Sequence, residues 1–200
     1  MSLAETCPTI RNPRAAVGVV GVVEPAWGGS GPSILVDRQV SIQTDVEPYV
    51  NLRFAVEANA TDTTFDISSA VVSFSPLSNP QAYASAGVTL TSDVDGATIT
   101  GLFSGMNYQA RYNGSTVYAN LVAGFSIPGD QTVVHGERKP ASGYQTISGT
   151  VSSIQSEFNF TLSALDQASG TSRFEVIPEP ATLSLLGLGG LAMLRRRKQS

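Results

Sequence analysis

The sequence predicts an all-β domain of sandwich or jelly-roll type, residues 33–176, followed by a short apolar transmembrane helix near the C-terminus. Three observations predict it. Tyr49 to Glu57 alternates strictly, with Val50, Leu52, Phe54 and Val56 set against Asn51, Arg53, Ala55 and Glu57, the period of a strand with one wet face. Further β-rich runs recur along the sequence, punctuated by Gly, Asn, Asp, Ser and Pro, as sandwiches and jelly rolls require. Almost nothing before the C-terminus carries the 3.6-residue apolar period of an amphipathic helix.

Taken in order, residues 1–32 read as an atypical leader or a disordered N-terminus. Arg11 and Arg14 precede the apolar run Ala15 to Val23, but Glu24-Pro25-Ala26 follows, and an acidic residue just before the cut suits signal peptidase poorly. The same run also reads as a first strand, or as the sign of a gene start placed at the wrong codon. The strands expected beyond it are Ser33 to Asp37, Val40 to Gln43, Tyr49 to Glu57, Thr64 to Phe74, Gly87 to Thr91, Ala97 to Phe103 and Tyr108 to Tyr112. Thr116 to Phe125, Gln131 to His135, Tyr144 to Ser153, Glu157 to Ser163 and Arg173 to Val176 complete the series.

Between two of these runs stands Asp93-Val94-Asp95-Gly96. It opens like a calcium loop, but Ser104 occupies the place of the closing bidentate glutamate, so the pattern fails. Asp95-Gly96 is read instead as a two-residue hairpin turn joining Gly87 to Thr91 with Ala97 to Phe103, because both central residues tolerate positive φ. The Thr89-x-Thr91 and Thr98-x-Thr100 pairs do not recur at a fixed spacing, and threonine there is simply a good strand former.

Composition narrows the function. Without its last 24 residues the 200-residue chain keeps about 175, enough for one core without disulfide or metal. The single cysteine, Cys7, cannot close an internal disulfide. Residues 1–178 carry eight Lys and Arg against fifteen Asp and Glu, a balance of −7. Such a body repels phosphate backbones, and no nucleic-acid partner is expected.

Catalytic patterns are missing as well. His135 is the only histidine and no Gly-x-Ser-x-Gly elbow accompanies it, so a triad has no base in reach. One His and one Cys do not furnish a zinc site. Asp62 and Asp66 are spaced as solvated turn residues rather than as a glycosidase pair. Asn-x-Ser/Thr triplets at Asn59, Asn113 and Asn159 are expected by chance in a sequence this rich in Ser and Thr. A non-catalytic protein without cofactor or metal is therefore expected. A second reading is a carbohydrate-binding module, in which Tyr108 and Tyr112 share a strand face and stack on sugar rings; the same spacing equally fits one half of a sandwich core.

The C-terminal segment, residues 177–200, is more specific. Pro178 and Pro180 hold Ile177-Pro178-Glu179-Pro180 extended and end the β domain, leaving the accessible backbone a protease cleft needs. Ala181 to Leu194 then carries no charge. As a helix those fourteen residues are about 21 Å long against a hydrocarbon core of about 30 Å. Three glycines within the run make a poor soluble helix. Arg195, Arg196, Arg197 and Lys198 supply the stop that keeps the far end on the cytoplasmic side.

Pro178-Glu179-Pro180, a Leu/Gly/Ala-rich run and a basic cluster, in that order, resemble the PEP-CTERM sorting signal, also catalogued as the ice-binding protein C-terminal domain. The resemblance covers about an eighth of the sequence. It implies a bacterial protein exported across the inner membrane, held transiently by its tail, and processed near Pro178-Glu179-Pro180 by an exosortase-type membrane protease. It also implies a final place in the periplasm, at the cell surface or in the extracellular matrix, in company with exopolysaccharide. The expected function is a structural protein of that envelope or matrix.

Overall fold

A computed structural model describes residues 20–24, 42–43 and 47–179. In order its strands are β1 (Val20–Glu24), β2 (Ile42–Gln43), β3 (Tyr49–Glu57), β4 (Thr63–Ser68), β5 (Val72–Ser78), β6 (Gln81–Thr91) and β7 (Ala97–Gly101). There follow β8 (Met106–Tyr112), β9 (Thr116–Ala123), β10 (Phe125–Ile127), β11 (Thr132–Lys139), β12 (Gln145–Thr146), β13 (Thr150–Leu162) and β14 (Gln167–Ile177). No helix occurs among the described residues, so the all-β expectation holds for the domain. Ala181 to Leu194, where the transmembrane helix was expected, lies outside them. So do Ser33 to Asp37, while β1 falls within residues 1–32, on the apolar run that also reads as a first strand.

Two antiparallel sheets face each other. In the eight-stranded sheet β13 is central, with β4 and β5 end to end along one edge and β7 and β8 along the other. β1 lies outside β4, while β9 and β10 lie outside β8 and β7. In the six-stranded sheet the order is β2, β3, β14, β6, with β11 and β12 both on the far edge of β6. The polypeptide repeatedly crosses from one sheet to the other, at β3 to β4, β5 to β6, β6 to β7, β10 to β11, β12 to β13 and β13 to β14.

These crossings overturn the Asp95-Gly96 hairpin. β6 is already paired along both edges, with β14 on one side and β11 on the other, so β7 has no edge to join and passes into the opposite sheet. Gly96 has φ 101°, but Asp95 is not in the left-handed region, and the Asp95 amide donates to Asp93 Oδ1 at 3.1 Å. The result is an Asx-type bend in an arch, not a primed two-residue turn. The tight hairpin is at Asn113-Gly114, where both residues have positive φ, 48° and 83°, between β8 and β9.

The strands between the crossings are longer and more broken than expected. Thr64 to Phe74 is two strands interrupted at 69–71, whereas Tyr144 to Ser153 divides into β12 and the start of β13, which runs on through Glu157 to Leu162. β6 extends through Gln81 to Ala86, which carries little β propensity. It is a strand because Ala82, Ala84, Ala86, Val88 and Leu90 all face inward and are buried, and small residues there let the opposite sheet approach.

Aromatic rings fill the space between the sheets. Phe54 of β3 meets Phe158 of β13 edge to face with centroids 4.9 Å apart, and Phe160 at 5.4 Å. Phe65 of β4 meets Phe160 at 5.6 Å, and Phe174 of β14 stacks on Tyr118 of β9 at 5.2 Å. All six are at least nine-tenths buried, and pairs of this kind add to the area they remove from water. At one end the crossings are tied together by Asp166, itself 1% exposed. Its carboxylate accepts from the Ser163 hydroxyl and, at 3.3 Å, from the Asp93 amide. Its carbonyl accepts from the Ala58 amide at 2.9 Å, and the neighbouring Leu165 amide donates to Asn59 O at 2.8 Å.

Gly170 marks the tightest approach between strand and core. A Cβ there would stand 2.3 Å from Phe54 Cε1, and Phe54 cannot retreat because Phe158 and Phe160 hold its ring. Gly170→Ala is expected to lower stability by about 1–3 kcal/mol through overpacking, with part of the loss restored when Phe54→Leu is added. Denaturant unfolding of the two variants checks this, and an alanine variant as stable as the parent contradicts it.

Candidate functional site

The segment that resembles a sorting signal begins where the sheet ends. Ile177 is the last residue of β14, opposite Gln81 of β6, and the Val176 amide donates to Pro48 O at 2.9 Å. Pro178 has no amide hydrogen to continue the ladder, and neither it nor the exposed Glu179 is in a strand. Pro180 and the basic stop Arg195, Arg196, Arg197 and Lys198 lie outside the described residues. Among those that are described, no helix is long and apolar enough to cross a membrane.

Just before that exit, the outer face of the six-stranded sheet carries a cluster of rings and charges. Glu175, 5% exposed, lies between Tyr49 and Tyr83 in the register. Its carboxylate accepts from Arg173 Nε at 2.6 Å and from the Tyr144 hydroxyl at 3.1 Å. The Arg173 guanidinium lies over Tyr49, 4.5 Å from the ring centre, and Arg138 lies over Tyr83 at the same distance. Tyr83 meets Tyr144 edge to face at 5.2 Å. Burial pushes the Tyr83 hydroxyl above its usual 10.0, with the Arg173 charge opposing, and Tyr144 is raised by burial and then by its bond to Glu175. Both guanidiniums are thus fixed by stacking and hydrogen bonds rather than free to sweep the surface.

Other candidate residues scatter. His135, on β11, is exposed and stacks on Phe125 with centroids 4.1 Å apart, the partly exposed strand position expected of it. Cys7 lies outside the described residues. Asp62 accepts from the Ala164 amide at 3.3 Å near a sheet crossing, whereas Asp66 sits within β4 opposite Asn159, so the two do not form a pair. Asn113 is exposed in the hairpin and accepts from the Ser152 amide at 2.9 Å. Among the described residues no group of three or more His, Cys, Asp and Glu is placed to hold a metal ion.

The Tyr108 and Tyr112 platform is overturned. Tyr108 is fully buried between the sheets, its hydroxyl 2.8 Å from Ser156 Oγ, and burial pushes that hydroxyl up to about 12 against the Ser156 bond. The two tyrosines do share the face that packs on the core. Alternation fixed their common side; it could not say which side was wet.

What emerges is an antiparallel β-sandwich whose last strand among the described residues, central in its sheet, ends at Ile177, immediately before Pro178 and Glu179. Residues 176–198 match the PEP-CTERM protein-sorting motif. The protein therefore carries a sorting signal that implies export and direction to the membrane protein exosortase for processing there. No curated protein shows significant sequence similarity to it. Among solved structures, the VP2 subviral particle of infectious bursal disease virus aligns at 13% identity over 88% of this chain and 55% of VP2, with a TM-score of 0.19. The Gx strain of the same virus gives 13% identity, 82% and 49% coverage and a TM-score of 0.19. The protein spans about half the length of those viral chains, and at such TM-scores the likeness carries no argument.

On the outer face of the other sheet, Arg111 is ion-paired with Glu157. Burial raises the Glu157 carboxyl above its ordinary 4.5, with Arg111 opposing and Asp66 adding to the rise; burial likewise raises Asp66 above 3.8, with Arg111 opposing. A carboxyl raised on folding holds its proton more tightly in the folded state, so stability falls as pH climbs from the unfolded value through the folded one. Asp66→Asn removes the Asp66 share of that slope and takes away its addition to the rise of Glu157. The variant is expected to melt above the parent near pH 7 and together with it near pH 3, below both values. Thermal unfolding at the two pH values tests this, and a lower melting temperature near pH 7 contradicts it.

Proposed function

We propose that this protein is a non-catalytic structural component of the bacterial surface or extracellular matrix, exported with a removable C-terminal anchor. Ala181 to Leu194 holds the new polypeptide in the inner membrane with Arg195, Arg196, Arg197 and Lys198 on the cytoplasmic side. Exosortase then acts near Pro178-Glu179-Pro180 and releases the sandwich toward the periplasm, the cell surface and an exopolysaccharide matrix.

One observation carries this reading: the sorting motif matches residues 176–198 while the last hydrogen-bonded strand stops at Ile177. Cutting after that point removes none of the described strands, so the released domain keeps every strand pair described above. An extended, unpaired segment next to a stable sheet is also what a protease can bind as an added strand.

Mass spectrometry of the C-terminus after fractionation of the native host tests this directly. The expected product ends close to Pro178-Glu179-Pro180 and is found outside the inner membrane. A Pro178→Ala, Pro180→Ala variant is expected to stay full-length in the inner-membrane fraction. Full-length parent protein dissolved in the cytosol, tail untrimmed, contradicts the proposal.

A further inference from the structure

The outer face of the six-stranded sheet carries a hollow that neither the sorting signal nor the core explains. Its register places Asn51, Arg173, Ser85 and Arg138 in one row across β3, β14, β6 and β11, and Arg53, Thr171, Gly87 and Gly136 in the next. Between the rows lies an open cavity of ≈ 490 Å³, lined by Arg53, Arg173, Asn51, Ser85, Gly87 and Thr171 among others. The three strands that line it, β3, β14 and β6, at their usual spacing span about 10 Å, enough for more than one sugar ring.

The two facing glycines are the unexpected feature. Glycine weakens the interior of a strand and there marks a bulge or the close approach of something else. Neither reason within the protein applies. A Cβ on Gly87 would lie 3.7 Å from His135 O, and one on Gly136 would lie 3.6 Å from Ala86 O, both ordinary contacts, and neither backbone is left-handed. Side chains would fit and the strands would be better for them; at Gly87, which lines the cavity, what one would remove is the hollow.

Charge identifies the occupant. Five Lys and Arg occur among the described residues, and three of them, Arg53, Arg138 and Arg173, stand on this one face of an otherwise acidic body. Arg173 is held over Tyr49 and gives its Nε and one terminal nitrogen to Glu175, and Arg138 stands beyond the cavity over Tyr83, which leaves Arg53 as the uncommitted cation of the lining. Arg53 is exposed and makes no ion pair or hydrogen bond among the described residues. Guanidinium groups take carboxylates by paired N–H bonds, while Ser85, Thr171 and Asn51 supply hydroxyl and amide partners for sugar hydroxyls. A polymer dense in phosphate would meet the −7 body at close range, so sparse carboxylates on an extended polymer fit better.

We propose that this hollow is a binding site for a carboxylated polysaccharide, a run of uronate sugars lying across β3, β14 and β6 with a carboxylate on Arg53. The assignment rests on the sheet alone; the surface or matrix role proposed above is needed only for the protein to meet such a polymer.

The test is equilibrium binding of the purified full-length protein, in mild detergent, to polygalacturonate, neutral dextran and anionic phospholipid vesicles. Polygalacturonate is expected to bind, progressively less as salt rises, and dextran is not. Arg53→Gln is expected to weaken binding about tenfold or more. Gly87→Val is expected to weaken it as much while melting no lower than the parent, which separates a filled site from a lost fold. No retention on polygalacturonate, equal retention on dextran, binding to the vesicles alone, or affinity unchanged in both variants would overturn the assignment. Because this binding does not depend on trimming, its failure leaves the processing result to stand or fall separately.

Discussion

The arch from β13 to β14 is the constraint on which the rest of the molecule depends. β13 is paired on both edges at the centre of one sheet, and β14 is paired on both edges at the centre of the other, yet only residues 163–166 separate them. Two sheets built on neighbouring central strands must face each other across a short connection, and that fixes their spacing. Asp166 makes the connection rigid by binding Ser163, Asp93 and Ala58 together. A buried carboxylate is tolerable there because each of its oxygens accepts a hydrogen bond. Phe158, Phe160 and Phe174, on the two strands of the arch, then fill the gap that the spacing leaves.

From this follows the relation between fold and sorting signal. A strand central in its sheet cannot be drawn out without exposing both neighbours, so the residues that follow it can be pulled or cut while β14 stays in place. Pulling on residues beyond Ile177 loads the hydrogen bonds to β3 and β6 together, a resistant geometry for a domain tethered by its end. The rings and guanidiniums of Tyr49, Arg173, Tyr83 and Arg138 brace the same end of the sheet, where the tail departs.

Much of this was legible in the sequence, and the exceptions have physical reasons. β3 appeared with its stated bounds because its alternation is unbroken, and Pro178 marked the end of β14 because proline cannot donate to a ladder. The sorting motif was legible because it is linear. Hidden were the features set by pairing between distant strands. Asp95-Gly96 and Asn113-Gly114 are similar turn signals, and only the occupied edges of β6 make the first an arch. Gln81 to Ala86 and Gln167 to Thr171 were missed as strands because their residues are small or polar, and burial, not propensity, makes them extended. Tyr108 and Tyr112 were placed on one face but not on the inner one. The hollow over Gly87 draws on three strands that lie far apart in the sequence, β3, β6 and β14, and no local pattern announces it.

The central claim is that the last described strand ends at Ile177 and that the sorting motif, which starts on Val176 of that strand, leaves the sheet at Pro178. Amide hydrogen exchange on the full-length protein in mild detergent tests this most directly, since protection reports which hydrogen bonds open only with the whole domain. The amides of Phe174 and Val176 should exchange as slowly as those of Phe158 and Phe160, and the Glu179 amide at the rate of an unstructured peptide. Early exchange at Val176 together with Glu179, or protection of Glu179 equal to that of the core, would contradict the account.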